Sequence, residues 1–174
     1  MEIIIRQETE KDYPAVYNLV KSAFDGMPYA DGDEPELVVR LRKSDSFIPQ
    51  LSLVALMENE IVGHILFTKM KFGSHPSLAL PPVAVLPAYQ KKGIGALLIH
   101  EGHRIARELG HRSVIVVGHA DYYPRFGYQR AIRWNITAPF EVPDEAFMAL
   151  ELVPGALDHV SGMIAYAREF FEKD

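Results

Sequence analysis

Two glycines at the start of a long amphipathic stretch constrain this chain more than any other feature. Gln90-Lys91-Lys92-Gly93-Ile94-Gly95-Ala96 follows an apolar, proline-bounded run, Pro82-Val83-Ala84-Val85-Leu86-Pro87, and opens a helix-like segment from Leu97 to Leu109. A buried strand that turns through glycines into a helix leaves the first N–H groups of that helix without intrahelical partners. The macrodipole adds partial positive charge at the same place, so the turn suits a phosphate group. Glycine there permits positive φ and has no Cβ to hold a pyrophosphate away. Gln90, Lys91 and Lys92 supply side-chain donors at the rim.

Several phosphate-loop patterns compete for this segment. A Walker A loop requires G-x-x-x-x-G-K-[ST], and the chain contains no such string. A dinucleotide fingerprint requires G-x-G-x-x-G, but Leu98 stands at the third position, and Ile115 and Val116 stand where a ribose-binding acid belongs. An ordinary glycine-rich strand–turn–helix connection stays open. The remaining pattern, Q/R-x-x-G-x-G/A, is met by Gln90, Gly93 and Gly95. Downstream, Leu109-Gly110 stops the helix with a glycine cap, and Ser113-Val114-Ile115-Val116-Val117 reads as a buried strand. Tyr123-x-x-x-Gly127-Tyr128 comes next. In this order the two segments resemble the coenzyme A loop and the Y-x-x-x-G-[FY] motif of the GNAT N-acetyltransferase superfamily, in a poorly characterised bacterial branch. The resemblance covers about residues 3 to 131.

Composition sets the frame. With 174 residues and 48% hydrophobic content, the chain is expected to be one domain with a substantial core. That domain would span 1–174, with residues 132–174 completing the sheet and the acceptor side. No segment approaches the roughly 20 apolar residues of a membrane span, and Met1-Glu2-Ile3-Ile4-Ile5-Arg6 enters a strand with no signal-peptide pattern. There is no cysteine, hence no disulfide framework and no thiol nucleophile. The expected compartment is the cytoplasm. A net charge of −5 argues against a nucleic-acid partner, and no membrane partner is expected.

Periodicity outlines an α/β chain. Ile3 to Gln7 reads as a strand, and Tyr13, Val16, Tyr17, Val20 and Phe24 form one helical stripe. Its start carries two signals, Thr9-x-x-Asp12 as a capping box and Pro14 as a first-turn residue with Asp12 as cap. Gly26 to Asp33 is a loop, and Pro35 opens a second helix with Leu37, Val38 and Leu41 inward. Leu51 to Met57 and Ile61 to Phe72 form a hairpin through Glu58-Asn59-Glu60. Ser77 to Val85 is the strand before the glycine turn. Later, Phe147 to Leu152 and Gly162 to Tyr166 read as strands, separated by Pro154-Gly155.

The resemblance implies more than the pattern does. It implies an α+β fold in which a mixed, mostly antiparallel sheet is flanked by helices and splays between its fourth and fifth strands. It implies acetyl-CoA as co-substrate, its pantetheine lying along Val83, Ala84 and Val85 and its pyrophosphate on Gln90, Lys91, Lys92, Gly93, Ile94, Gly95 and Ala96. A small-molecule or peptide amine would attack the thioester directly in a ternary complex. Tyr123 would serve as general acid to the leaving thiolate. GNAT enzymes commonly place a glutamate on or near the strand before the loop, but Ser77 to Val85 contains no acid. His119 and Asp121 are the base candidates by position, with His64 behind them. The missing acid keeps a non-catalytic acyl-CoA sensor as the alternative, and a homodimer stays open. No metal is expected: His100 and His103 are spaced i, i+3 rather than the i, i+4 of a zinc helix. Arg104 and Arg107 are read as phosphate helpers or a solvated face. Asp31, Asp33, Glu34 and Glu36 are read as a cation-attracting rim or as helix N-terminal charge.

Overall fold

A computed structural model of the chain describes residues 2–27, 30–81 and 83–171. Three helices and ten strands lie in that span, and the strands join one sheet. β1 (Ile3–Gln7) pairs antiparallel with β2 (Phe47–Met57), and β2 pairs antiparallel with β3 (Glu60–Phe72). The β2–β3 turn is made by Glu58 and Asn59, both at positive φ. Two such residues in succession twist a hairpin correctly, which explains an asparagine there. β2 begins four residues before the expected Leu51, and the ladder is irregular between Phe47 and Ser52, beside Pro49. A proline cannot donate to a ladder, and this irregular stretch hides the strand start from a pattern reading.

Both start signals of the first helix are used. Asp12 accepts the Thr9 N–H at 2.7 Å and caps a 3-10 turn over Glu10–Asp12. That turn runs into α1 (Tyr13–Phe24), with Pro14 in the first turn. Arg6 forks onto the Asp12 carboxylate at 2.7 and 2.9 Å. α2 (Glu34–Arg42) carries Pro35 in its first turn, as expected. Both helices lie on one face of the sheet, where Val16, Leu19, Val20, Val38 and Leu41 pack on Val54, Leu66 and Ala84.

The expected strand from Ser77 to Val85 is two strands. β4 (His75–Ala79) pairs antiparallel with β3, and β5 (Ala84–Val85) returns to the same partner further along. Between them lie Pro81 and Pro82, which have no N–H to give a ladder. Pro82, with which the expected apolar run began, lies outside the described residues. α3 (Ile94–Glu108) begins three residues earlier than expected, directly on Gly93. It covers the other face, where Ile94, Leu98, Ile99 and Ala106 join Leu53, Ile65, Phe67, Val114 and Val116.

β6 (Ser113–Val117) pairs parallel with β4 at Leu78↔Val114 and Ala79↔Ile115. The tail then extends the sheet. β7 (Gln129–Arg130) and β6 flank β9 (Phe147–Glu151), while β8 (Ile136–Thr137) pairs with β10 (Gly162–Ala165), and β10 pairs with β3. Only β4–β6 and β8–β10 are parallel among the described pairs. No helix of the described residues is long and apolar enough to cross a membrane.

Candidate active site

The site begins where the sheet comes apart. Ser77 and Ser113, both buried, share a hydrogen bond of 2.7 Å and hold β4 against β6. The last bond between the two strands runs from the Leu80 N–H to the Ile115 carbonyl, at 3.0 Å. Beyond it β5 stays with β3, whereas β6 stays with β9 and the Gly118 N–H reaches Ala146. A wedge therefore opens between Val83–Val85 and Val116–Gly118, between the two strands expected to splay.

One wall of the wedge carries backbone groups turned away from the ladder. The Leu86 N–H donates to Val62, and Ala84 faces His64 in the same ladder. Alternation along an antiparallel strand then turns the N–H and C=O of Val85, and of Val83, away from β3 and into the opening. The Gln90 side chain folds back and donates to the Val85 carbonyl at 3.0 Å. Gln90 thus ties the glycine turn to β5, a structural task that its expected rim position did not suggest.

The turn itself has the shape a phosphate needs. Lys91 has φ 65° and Gly93, the residue capping α3, has φ 85°. The first intrahelical bond is Leu97 N–H to Gly93 C=O. The N–H groups of Ile94, Gly95 and Ala96 therefore have no helical acceptor and point out of the helix end. Lys92 lies over the Tyr89 ring, 5.6 Å from its centroid. The cradle fits a pyrophosphate by its donor set: three backbone N–H groups, a dipole end and two lysines.

Tyr123 opens a 3-10 turn (Tyr123–Phe126) just past β6. Its ring is buried between Tyr122 and Tyr128, edge to face at 5.2 and 5.6 Å. No hydrogen bond to its hydroxyl occurs among the described residues. Burial pushes its phenol well above the usual tyrosine range, with Tyr122 adding to the effect. The group is a protonated donor at neutral pH.

His119 and Asp121 lie on the loop after β6, both exposed, and neither side chain makes a hydrogen bond among the described residues. His64 is different. It is buried under α1 and α2, with Nε2 3.2 Å from Ser52 Oγ and 3.6 Å from Glu8. Glu8 is itself gripped by Arg42 at 2.6 and 3.1 Å and by Ser52 at 2.8 Å. Burial brings the His64 pKa down to about 4, Glu8 pulling up and Arg42 down. Its Nδ1 has no hydrogen-bond partner among the described residues.

Other sequence candidates resolve into structural roles. His103 is buried against Tyr128, whose hydroxyl lies 2.9 Å from Nε2, and His100 packs on the Phe126 ring. Arg104 pairs with Glu101 and Glu108 along α3, and Arg107 donates to the Leu152 carbonyl at 2.9 Å. In the acidic cluster Asp33 pairs with Arg40 at 2.6 Å, Glu34 accepts the Asp31 N–H, and Glu36 accepts the Tyr17 hydroxyl. These carboxylates organise the start of α2. Sequence reading did not single out Tyr122, whose hydroxyl lies beside Gly95. Its adjacency to Tyr123 was visible; its approach to the helix start depends on the fold.

The model of the acetyltransferase (GNAT) family matches residues 13–128. The uncharacterized N-acetyltransferase YjhQ of Escherichia coli K12 is 41% identical over 117 residues, which is 64% of this chain and 65% of that one, just under two thirds of its length. The uncharacterized N-acetyltransferase YhbS of the same organism is 28% identical over 171 residues, 97% of this chain and 98% of that one. A crystal structure of E. coli YhbS in complex with CoA has the same fold, with a TM-score of 0.90 at 24% identity over 99% of this chain and 93% of that one. A GNAT family acetyltransferase from Brucella melitensis in complex with acetyl-CoA gives 0.81 at 32% identity, over 97% of this chain and 98% of that one. The chain belongs to the GNAT family of acetyltransferases.

Proposed function

We propose that this acetyltransferase takes its acetyl group from acetyl-CoA and passes it directly to a primary amine in a ternary complex. The observation that carries the reading is the junction of three features in one wedge. These are the Val83–Val85 edge turned away from β3, the N–H cradle at Ile94–Ala96, and the Tyr123 hydroxyl, which has no hydrogen bond among the described residues. The CoA and acetyl-CoA complexes of the two structural neighbours support acetyl-CoA as the co-substrate. Pantetheine would pair with the Val83–Val85 edge as an added strand. Lys91, Lys92 and the three N–H groups would hold the pyrophosphate.

The chain's own residues then set the proton traffic. With no cysteine present, no thiol can carry the acetyl group between substrates. A lysine-like amine must first lose a proton, at a cost of roughly 4–5 kcal/mol at pH 7; an α-amine costs about 1 kcal/mol. His119 and Asp121 stand at the wedge mouth and would pass that proton to solvent. His64, buried against Ser52 and Glu8, takes no part in that transfer. Tyr123 would donate to the departing sulfur. An ordinary phenol is already roughly 2 kcal/mol short of protonating a thiolate, and burial widens the gap. Sharing of the proton in a hydrogen bond, rather than full transfer, is what this group can supply.

Calorimetry with CoA and a free-thiol assay with acetyl-CoA and a panel of amines test the proposal together. CoA binding with amine-dependent thiol release is expected. Binding without release on any amine would make the chain an acyl-CoA sensor, and no binding would remove the reading.

A further inference from the structure

A Cβ placed on Gly95 would come 2.8 Å from the Tyr122 hydroxyl oxygen. That hydroxyl makes no hydrogen bond among the described residues. Gly95 is the second residue of α3, so its N–H is one of the three that leave the helix unpaired. Three neighbours fix the Tyr122 ring. Tyr123 and Phe126 meet it edge to face, each at 5.2 Å, and the Arg125 guanidinium lies 5.4 Å from its centroid. A half-buried, clamped ring thus sets its hydroxyl beside Gly95, in the first turn of α3, whose N–H groups are the unpaired ones.

We infer that Tyr122 is a further phosphate-binding residue, its hydroxyl donating to the CoA pyrophosphate beside the N–H groups of Ile94, Gly95 and Ala96. The inference rests on the proposed reading of this turn as the CoA cradle. Burial raises the Tyr122 phenol, against a smaller pull from Arg125, so the group stays a donor across neutral pH. The inference also assigns a second reason for glycine at position 95. The loop pattern Q/R-x-x-G-x-G/A admits alanine there, but in this chain a methyl group would displace the Tyr122 oxygen.

The test is CoA affinity by calorimetry, with displacement of CoA by pantetheine, which lacks the pyrophosphate. Tyr122→Phe keeps the packed ring and should weaken CoA about ten-fold, the worth of one hydrogen bond to a charged acceptor, while pantetheine stays within two-fold. Gly95→Ala should weaken CoA by a similar factor alone and add little when combined with Tyr122→Phe, because both act on one oxygen. A Tyr122→Phe variant that binds CoA within two-fold of wild type overturns the inference and leaves the cradle intact. So does an equal loss for CoA and pantetheine. A wild-type chain that does not bind CoA, or a folded Gly93→Val variant that binds it normally, overturns the cradle and the inference with it.

Discussion

Tyr122 and Tyr123 are adjacent, yet their side chains face different parts of the wedge. Tyr123 is walled by Tyr122 and Tyr128, while the Tyr122 hydroxyl stands at the start of α3. Tyr123→Phe keeps the ring and removes only the donor, so turnover should fall by about 10²- to 10⁴-fold with little change in the Kd for CoA. Steady-state kinetics beside calorimetry check this, and turnover within a few-fold of wild type would make Tyr123 a packing residue. Two buried imidazoles give the molecule a defined acid limb. His64 and His103 are each brought down to about 4 from an ordinary value near 6.5, chiefly by burial. Between those values the unfolded chain binds protons that the folded chain refuses, so stability is full above about pH 6.5 and falls as pH drops toward 4. Each group contributes a slope of up to about 1.4 kcal/mol per pH unit. His111, also lowered by burial, acts in the same sense. Asp12, held low by Arg6, loses its contribution only in stronger acid. His103→Gln should therefore narrow the gap in Tm between pH 7 and pH 4.5, and an unchanged gap would mean that His103 is protonated within the fold.

Elements that announce themselves by period were legible in the sequence, and those made by the failure of a period were not. The stripe from Tyr13 to Phe24 became α1, and Glu58-Asn59 became the β2–β3 turn, because local preference and burial agree there. The single strand expected over Ser77–Val85 hid its break, since Pro81 sits in an otherwise apolar run and only the ladder shows the loss. The tail between Arg130 and Phe147 has two-residue strands and 3-10 turns, too short to carry any period. In the site, the glycine turn was legible because φ and helix geometry are local. The base was not, because His119 and Asp121 could be ranked only by position. α3 depends on the turn at its head. Gly93 sits at φ 85° with nothing within 4 Å of an added Cβ, so its side-chain freedom is conformational, not steric. Gly93→Val should cost about 1–2 kcal/mol from the left-handed backbone alone. That corresponds to a fall in Tm of roughly 2–8 °C for a chain of this size. CoA affinity should fall with it, since the N–H groups would be re-aimed. A Gly93→Val variant with wild-type Tm would show that the turn adopts another path.

The tail makes the wedge a property of the whole chain. β9 pairs with β6 on one jaw, and β10 pairs with β3 on the other, so residues 136–165 tie the two jaws together behind the opening. Met70, Phe72, Ala79 and Ile115 pack under Ile136, Phe147, Leu157 and Ile164, a second core that exists only when the tail is in place. A ligand that binds across both jaws should therefore stabilise the entire sheet rather than one part of it. A ligand bound only to the folded chain adds about 2.7 kcal/mol at 100 times its Kd. For 174 residues that is a rise in Tm of roughly 5–11 °C. Thermal unfolding followed by far-ultraviolet circular dichroism and by Trp134 fluorescence should give one coincident transition that CoA moves as a unit. Tyr123→Phe should keep this shift, because its loss falls on chemistry, and Gly93→Val should lose most of it. If CoA moved one signal and left the other in place, the tail would fold apart from the jaws, and the wedge would be held by β4 and β6 alone.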